Sequence, residues 1–284
     1  MYKEFETRTS YKYLQKVIAA LEEPVCILGG WAVFFHVNKN FRQAQGRPYL
    51  GSRDIDVGFH LNPDATPEGM KQSPLTKSLF VLQSKLGFEP LAFRFFKDLH
   101  TETGKEAAQG ENVHAHLRFP MYVDIIVDNI PKQFKNVFGF QPIDEPLLRY
   151  AFSEEKCRTV LKEFNRRLLL PTPDVLLGTK AHSLAGRDKQ HKRVKDLCDI
   201  FALLWYGGST PQETAAKSAR FIQTQQFRQT LAKLQQEDYE QAAGQLGHAP
   251  EEIERVISVL AQSLRDGLPK GTRDGLRKGL KDGL

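Results

Sequence analysis

Apolar side chains recur at helical spacing between residues 9 and 23, with Tyr13, Leu14, Val17, Ile18 and Leu21 on one side, and Pro24 closes the run. Val25 to Leu28 is a short, wholly apolar stretch that reads as a buried strand. Gly29-Gly30 then turns the chain into an apolar helix starting at Trp31. A β-rich run follows from Asp54 to Phe59, and LNPDATPEGMKQSP after it is a turn-rich loop. Leu75, Leu79, Leu82 and Leu86 predict a helix over 75–86, stopped by Gly87. Leu91–Phe96, Val113–Phe119 and Tyr122–Val127 predict strands, the last two broken at Pro120, with a polar loop before them. From Gln141 the pattern is helical: Ser153–Phe164 with Ser153 as cap, then a helix after Asp174, then HKRVKDLCDIFALLWY, then two or three more over 211–264. The pattern predicts an α+β domain over 1–140, with a mixed β-sheet and flanking helices, and a helical domain over 141–264. Residues 265–284 repeat Gly-Leu units with basic residues and are expected to be a disordered tail.

Chemistry concentrates between Val25 and Phe59. Side chains alternate along a strand, so Asp54 and Asp56 share a face while Ile55 and Val57 point the other way. Two adjacent carboxylates repel and call for a counter-charge. Mg²⁺ is one candidate, because it commonly takes one or two carboxylates together with substrate phosphates. Gly29 and Gly30, between a strand and a helix, let a phosphate approach backbone N–H groups at the helix start. A phosphate cradle beside a metal-binding carboxylate pair suits phosphoryl or nucleotidyl transfer. Asp124, an acid among β-branched residues in Tyr122–Val127, is either a third carboxylate or a solvent-facing strand residue, and Asp128 reads as a turn residue.

Gly-Gly followed by Ser52-x-Asp54-x-Asp56 resembles the nucleotidyltransferase fold of the DNA polymerase β type. GGWAVFF…GSRDIDVGF is most similar to the AbiEii-like nucleotidyltransferases, many of them toxins of toxin–antitoxin systems. The resemblance implies that Asp54, Asp56 and Asp124 hold Mg²⁺, two ions in the usual arrangement, and that Asp124 takes the proton of an attacking hydroxyl. It implies that Gly29, Gly30 and Ser52 seat the phosphates of an NTP. Lys180, Lys195, Asp196 and Asp199 match the family's later lysine and Lys-Asp-x-x-Asp motifs. In the family Lys180 would reach the triphosphate, and Lys195, Asp196 and Asp199 would line or brace the far wall of the same nucleotide cleft. Read as residues alone, Lys192–Asp196 and Lys195–Asp199 are i,i+4 pairs that suit a solvated helix face. The chain departs from the family in a long gap between Gly30 and Asp54, filled by NKNFRQAQGRPYLGS. That insert is a substrate loop, with Arg42 and Arg47 available to phosphates, or an exposed mobile loop.

The resemblance points to RNA as the acceptor, the 3′ end of tRNA first, and to an antitoxin protein as partner. A protein or an aminoglycoside-like molecule would use the same site, and a catalytically silent nucleotide- or RNA-binding member is the non-enzymatic alternative. The chain has 284 residues and a net charge of +6. Residues 265–284 hold six basic and three acidic side chains, half of that excess, so the body is only mildly basic and charge alone argues weakly for nucleic acid. Three widely spaced cysteines with no CxxC suggest a reducing, cytoplasmic setting and give no zinc signature. His114 and His116 lack a third metal ligand at a convincing spacing. There is no P-loop, no membrane-spanning run and no apolar leader at the start.

Overall fold

A computed structural model describes residues 3–106, 114–162 and 166–266. The expected tail over 265–284 lies almost wholly outside the described residues. The chain divides into two compact units, residues 1–35 with 50–172 and residues 36–49 with 173–284. The split therefore falls inside one helix, and the boundary expected after residue 140 lies within the first unit.

The first unit is built on a mixed eight-stranded sheet. Its strands are β1 (Cys26–Ile27), β2 (Ile55–Phe59), β3 (Glu89–Leu91), β4 (Arg94–His100), β5 (Arg118–Val127), β6 (Ile143–Asp144), β7 (Arg158–Leu161) and β8 (Leu168–Pro171). They run in the order β3-β4-β5-β2-β1-β8-β7, with β6 attached to β5. β2 and β5 are parallel, whereas β1 meets β2 and β4 meets β5 antiparallel. Helices α1 (Glu4–Ala20), α2 (Gly29–Gln45), α3 (Pro67–Lys71), α4 (Pro74–Ser84), α5 (Phe134–Phe138) and α6 (Leu148–Ser153) accompany it. Ser73 caps α4 by accepting from the Thr76 N–H, ahead of a proline that suits the first helical turn.

Alternation sets the register. Ile55 and Val57 on β2, and Val123, Ile125 and Val127 on β5, are fully buried, so a one-residue slip would carry Asp56 and Asp124 into the core. β2 flanks β5 only from Val123 onward, so Pro120 stands where one edge of β5 is open and the strand continues through it. The two strands expected on either side of Pro120 are thus one, and His114 and His116 sit by a short 3-10 turn ahead of it. Over 153–162 the helix expected for Ser153–Phe164 is replaced by the end of α6, a 3-10 turn and β7, and its last two residues lie outside the described ones. Thr159 and Val160 are β-branched, and β7 pairs with β8, which lies parallel to β1.

The second unit is helical: α7 (Pro173–Ala185), α8 (Gln190–Tyr206), α9 (Pro211–Ser218), α10 (Thr224–Leu231), α11 (Gln236–Leu246) and α12 (Pro250–Asp266), together with the end of α2. Phe41 of α2 is fully buried, edge-on to Tyr49 and Tyr206 at 5.2 and 5.1 Å. Arg47 donates to the Gln245 carbonyl. The first half of the insert expected as a loop is therefore helix, and Phe41 and Tyr49 are both buried in a core. Among the described residues no helix is long and apolar enough to cross a membrane.

Candidate active site

The carboxylates gather where β1, β2 and β5 lie side by side. Asp54 immediately precedes β2, Asp56 is its second residue, and Asp124 is the register partner of Asp56 on β5. Asp54 and Asp56 are half-buried, whereas Asp124 is only 6% exposed. Burial, followed by the charge of Asp56, pushes the Asp124 carboxyl up to about 7, against the pull of Arg94, with Asp54 adding to the rise. Arg94 on β4 donates to Asp124 Oδ2 at 2.8 Å, and its guanidinium lies over the rings of Tyr122 and Phe93 at 4.4 and 4.9 Å. Asp124 Oδ1 is buried without a hydrogen-bond partner among the described residues.

The glycines are fixed by their neighbours. β1 ends one residue before α2, and the Leu28 N–H donates to the Asp56 carbonyl at 3.1 Å, locking the start of α2 to β2. Gly29 has φ +59°, and a Cβ there would stand 1.8 Å from Asp56 Oδ2. A Cβ on Gly30 would fall 2.9 Å from the Ser52 Cβ and 3.1 Å from its Oγ. No side chain larger than hydrogen fits beside Asp56 and Ser52 without displacement. The first turn of α2 contains no acidic residue, so the partial positive charge of its N–H groups is uncompensated from within the helix. Trp31 anchors this turn, donating from its indole to Ser10 of α1 at 3.1 Å.

Among the described residues no group of three or more His, Cys, Asp or Glu side chains is arranged to hold a metal ion by itself. Mg²⁺ keeps several waters and uses one or two protein carboxylates with substrate phosphates. Asp54, Asp56 and the orphaned Oδ1 of Asp124 are an oxygen-only donor set, the chemistry such an ion would need if ligand oxygens and water supplied the rest.

Lys180, Lys195, Asp196 and Asp199 form a network inside the second unit. The Lys180 ammonium contacts Asp196 Oδ1 at 3.0 Å and Asp199 Oδ2 at 2.7 Å. Lys195 meets Asp199 Oδ1 at 2.5 Å, Arg187 meets Asp196 Oδ2 at 2.7 Å, and the Tyr49 hydroxyl donates to Asp199. All four residues of the two motifs are buried, so the solvated-face reading of the i,i+4 pairs does not hold. Burial would lower the Lys180 pKa, but Asp196 and Asp199 outweigh it and raise it. Burial would raise Asp199, and Lys180 with Lys195 hold it down instead.

Two features escaped the sequence reading. Arg94 lies in a phenylalanine-rich strand, and its partner is thirty residues away, so only the pairing of β4 with β5 brings them together. Asp128, in the bend directly after β5, is buried, accepting from the Leu61 N–H at 3.0 Å and contacting His60 Nδ1 at 2.5 Å.

No protein-family model matches the chain, and no curated protein matches it. Among solved structures, the crystal structure of an antigenic nucleotidyltransferase-like protein from Paracoccidioides brasiliensis is similar at 15% identity, over 86% of this chain and 92% of that one, with a TM-score of 0.38. A score that low marks a loose overall likeness, and nothing about the site follows from it.

Proposed function

We propose that the chain is a Mg²⁺-dependent nucleotidyltransferase, related to the AbiEii-like members of the DNA polymerase β type, that moves an NMP from an NTP to a hydroxyl acceptor. The observation that carries this reading is the register of Asp56 with Asp124 on parallel neighbouring strands, with Asp54 beside them and the bare backbone of Gly29 against the Asp56 carboxylate. Asp54, Asp56 and Asp124 would hold the metal. Bound there, Mg²⁺ would supply charge stabilisation at the triphosphate and acidify the acceptor hydroxyl. Gly29, Gly30 and Ser52 would seat phosphate oxygens at the start of α2. The resemblance also supports Asp124 as the group that takes the proton leaving the acceptor.

Lys180, Lys195 and Asp199 were tied to nucleotide by resemblance alone. Their mutual ion pairs support a bracing role within the helical unit, since Lys180 would have to leave two aspartates to reach a phosphate. The resemblance supports RNA as the acceptor, the 3′ end of tRNA first, with the protein acting as a toxin restrained by an antitoxin. A protein hydroxyl or an aminoglycoside-like molecule is attacked by the same chemistry. Three buried cysteines, none of them in a disulfide, support a cytoplasmic location.

Asp54→Ala and Asp56→Ala should each abolish transfer while leaving the fold intact; substantial residual transfer in both would sink the assignment. One observation favours the silent alternative, because Arg94 already supplies a counter-charge to Asp124. A metal-dependent thermal shift with NTP but no product would establish that alternative.

A further inference from the structure

β4 alternates buried and half-buried positions, and its inward face carries Phe95, Lys97 and Leu99. A lysine at the middle of an apolar row is costly to bury unless its charge is met. The Lys97 side chain is 9% exposed, and its ammonium reaches one carboxylate, Glu106, at 2.7 Å, which is itself 56% exposed. Lys97 lies at the floor of a cavity of about 350 Å³ in the first unit. Tyr13 and Phe88 form one wall, edge to face at 6.2 Å, with the Lys97 ammonium 5.4 Å from the Phe88 ring. Exposed Lys16 and Lys85 line the same cavity, Lys16 lying over the Tyr13 ring at 4.6 Å. Among the described residues that line it, three lysines stand against one carboxylate, an excess of two positive charges.

We propose that this cavity, between α1, the end of α4 and β4, is a binding site for a phosphate dianion, of the kind carried by inorganic phosphate or a phosphate monoester. The ligand displaces Glu106 from Lys97, and Lys16 and Lys85 complete its coordination at the rim. Lysine suits this task as a compact charge with three donors that can reorient. The volume lies at the lower end of small-molecule sites, so the phosphate has room for a short organic substituent. Glu106 acts as a weak internal competitor, which keeps the buried ammonium paired when no ligand is present.

The test is calorimetric titration of the full chain with inorganic phosphate in EDTA, so that no divalent ion can hold phosphate at Asp54 and Asp56. Saturable binding is expected, weakened roughly ten- to a hundred-fold by Lys97→Met, the scale of one charged hydrogen-bond partner. Lys85→Met, at an exposed position where folding is not at stake, should weaken binding about threefold or more. Glu106→Gln should tighten binding by a similar factor, which a purely structural pairing of Lys97 would not produce. Dimethyl phosphate, a monoanionic diester, should bind far more weakly than phosphate. The proposal is overturned by absence of saturable binding, by equal affinity for the diester, or by affinities that ignore all three substitutions.

Discussion

Replacing Gly29 with alanine tests whether the Asp56 carboxylate really occupies the space beside the start of α2. Two costs are separable. An L-residue at φ +59° carries strain of about 1–2 kcal/mol wherever it stands. The new methyl would also lie 1.8 Å from Asp56 Oδ2 and 2.6 Å from its Cγ, overlaps that must push the carboxylate away. Overpacking of this kind adds roughly 1–3 kcal/mol. In an Asp56→Ala background only the Cβ remains, 3.2 Å away, and the penalty should shrink to the strain alone. A double-mutant cycle should therefore return a coupling of about 1–3 kcal/mol between the positions. The chain has two tryptophans, and Trp31 is buried beside this turn. Urea unfolding followed by fluorescence, with Trp205→Phe in every variant, reports the first unit through Trp31. Gly29→Ala penalties that agree within about 0.5 kcal/mol in the two backgrounds would show that Asp56 is not packed there.

Three further outcomes follow from the packing of Asp124, Ala92 and Lys180. The Asp124 carboxyl is raised from 3.8 to about 7, so the folded protein holds that proton more tightly than the unfolded chain does. In EDTA, stability should fall as pH rises from about 4 to 7 and level off above, with a slope of at most about 1.4 kcal/mol per pH unit. Asp124→Asn should flatten urea midpoints across that range, and a slope unchanged by the substitution would contradict the burial argument. Ala92, at φ +53° in the two-residue turn between β3 and β4, should gain about 1 kcal/mol on replacement by glycine, read as a higher urea midpoint. Lys180→Met should cost roughly 3–5 kcal/mol, because it removes a cation shared by two buried aspartates. A near-neutral midpoint would argue that Lys180 is held for a ligand rather than for the helical unit.

The sequence signalled the centre through local pattern. A strand, a glycine pair and a helix can be read from a dozen residues, and Ile55 and Val57 fix which face Asp54 and Asp56 share. Asp124 was visible because an acid interrupts a β-branched run, although its register with Asp56 was not. What stayed hidden depends on partners far along the chain. Arg94 has no local reason to meet Asp124, and the i,i+4 pairs of α8 look solvated until α7 brings Lys180 against them. β7 and β8 are short strands whose identity comes from pairing with β1, so 153–164 read as a helix on spacing alone. The insert misled through its composition, since a polar stretch stays helical when one residue, Phe41, has a core to enter.

The most direct measurement incubates the purified protein with Mg²⁺, each α-³²P-labelled NTP in turn and total tRNA, beside the Asp56→Ala variant. Label should be transferred by the wild type and not by the variant; label on RNA names the acceptor and the base preference, and label on protein redirects only the acceptor. No transfer with any NTP to RNA, protein or an aminoglycoside, or equal transfer by Asp56→Ala, would contradict the claim that these carboxylates form a nucleotidyl-transfer centre.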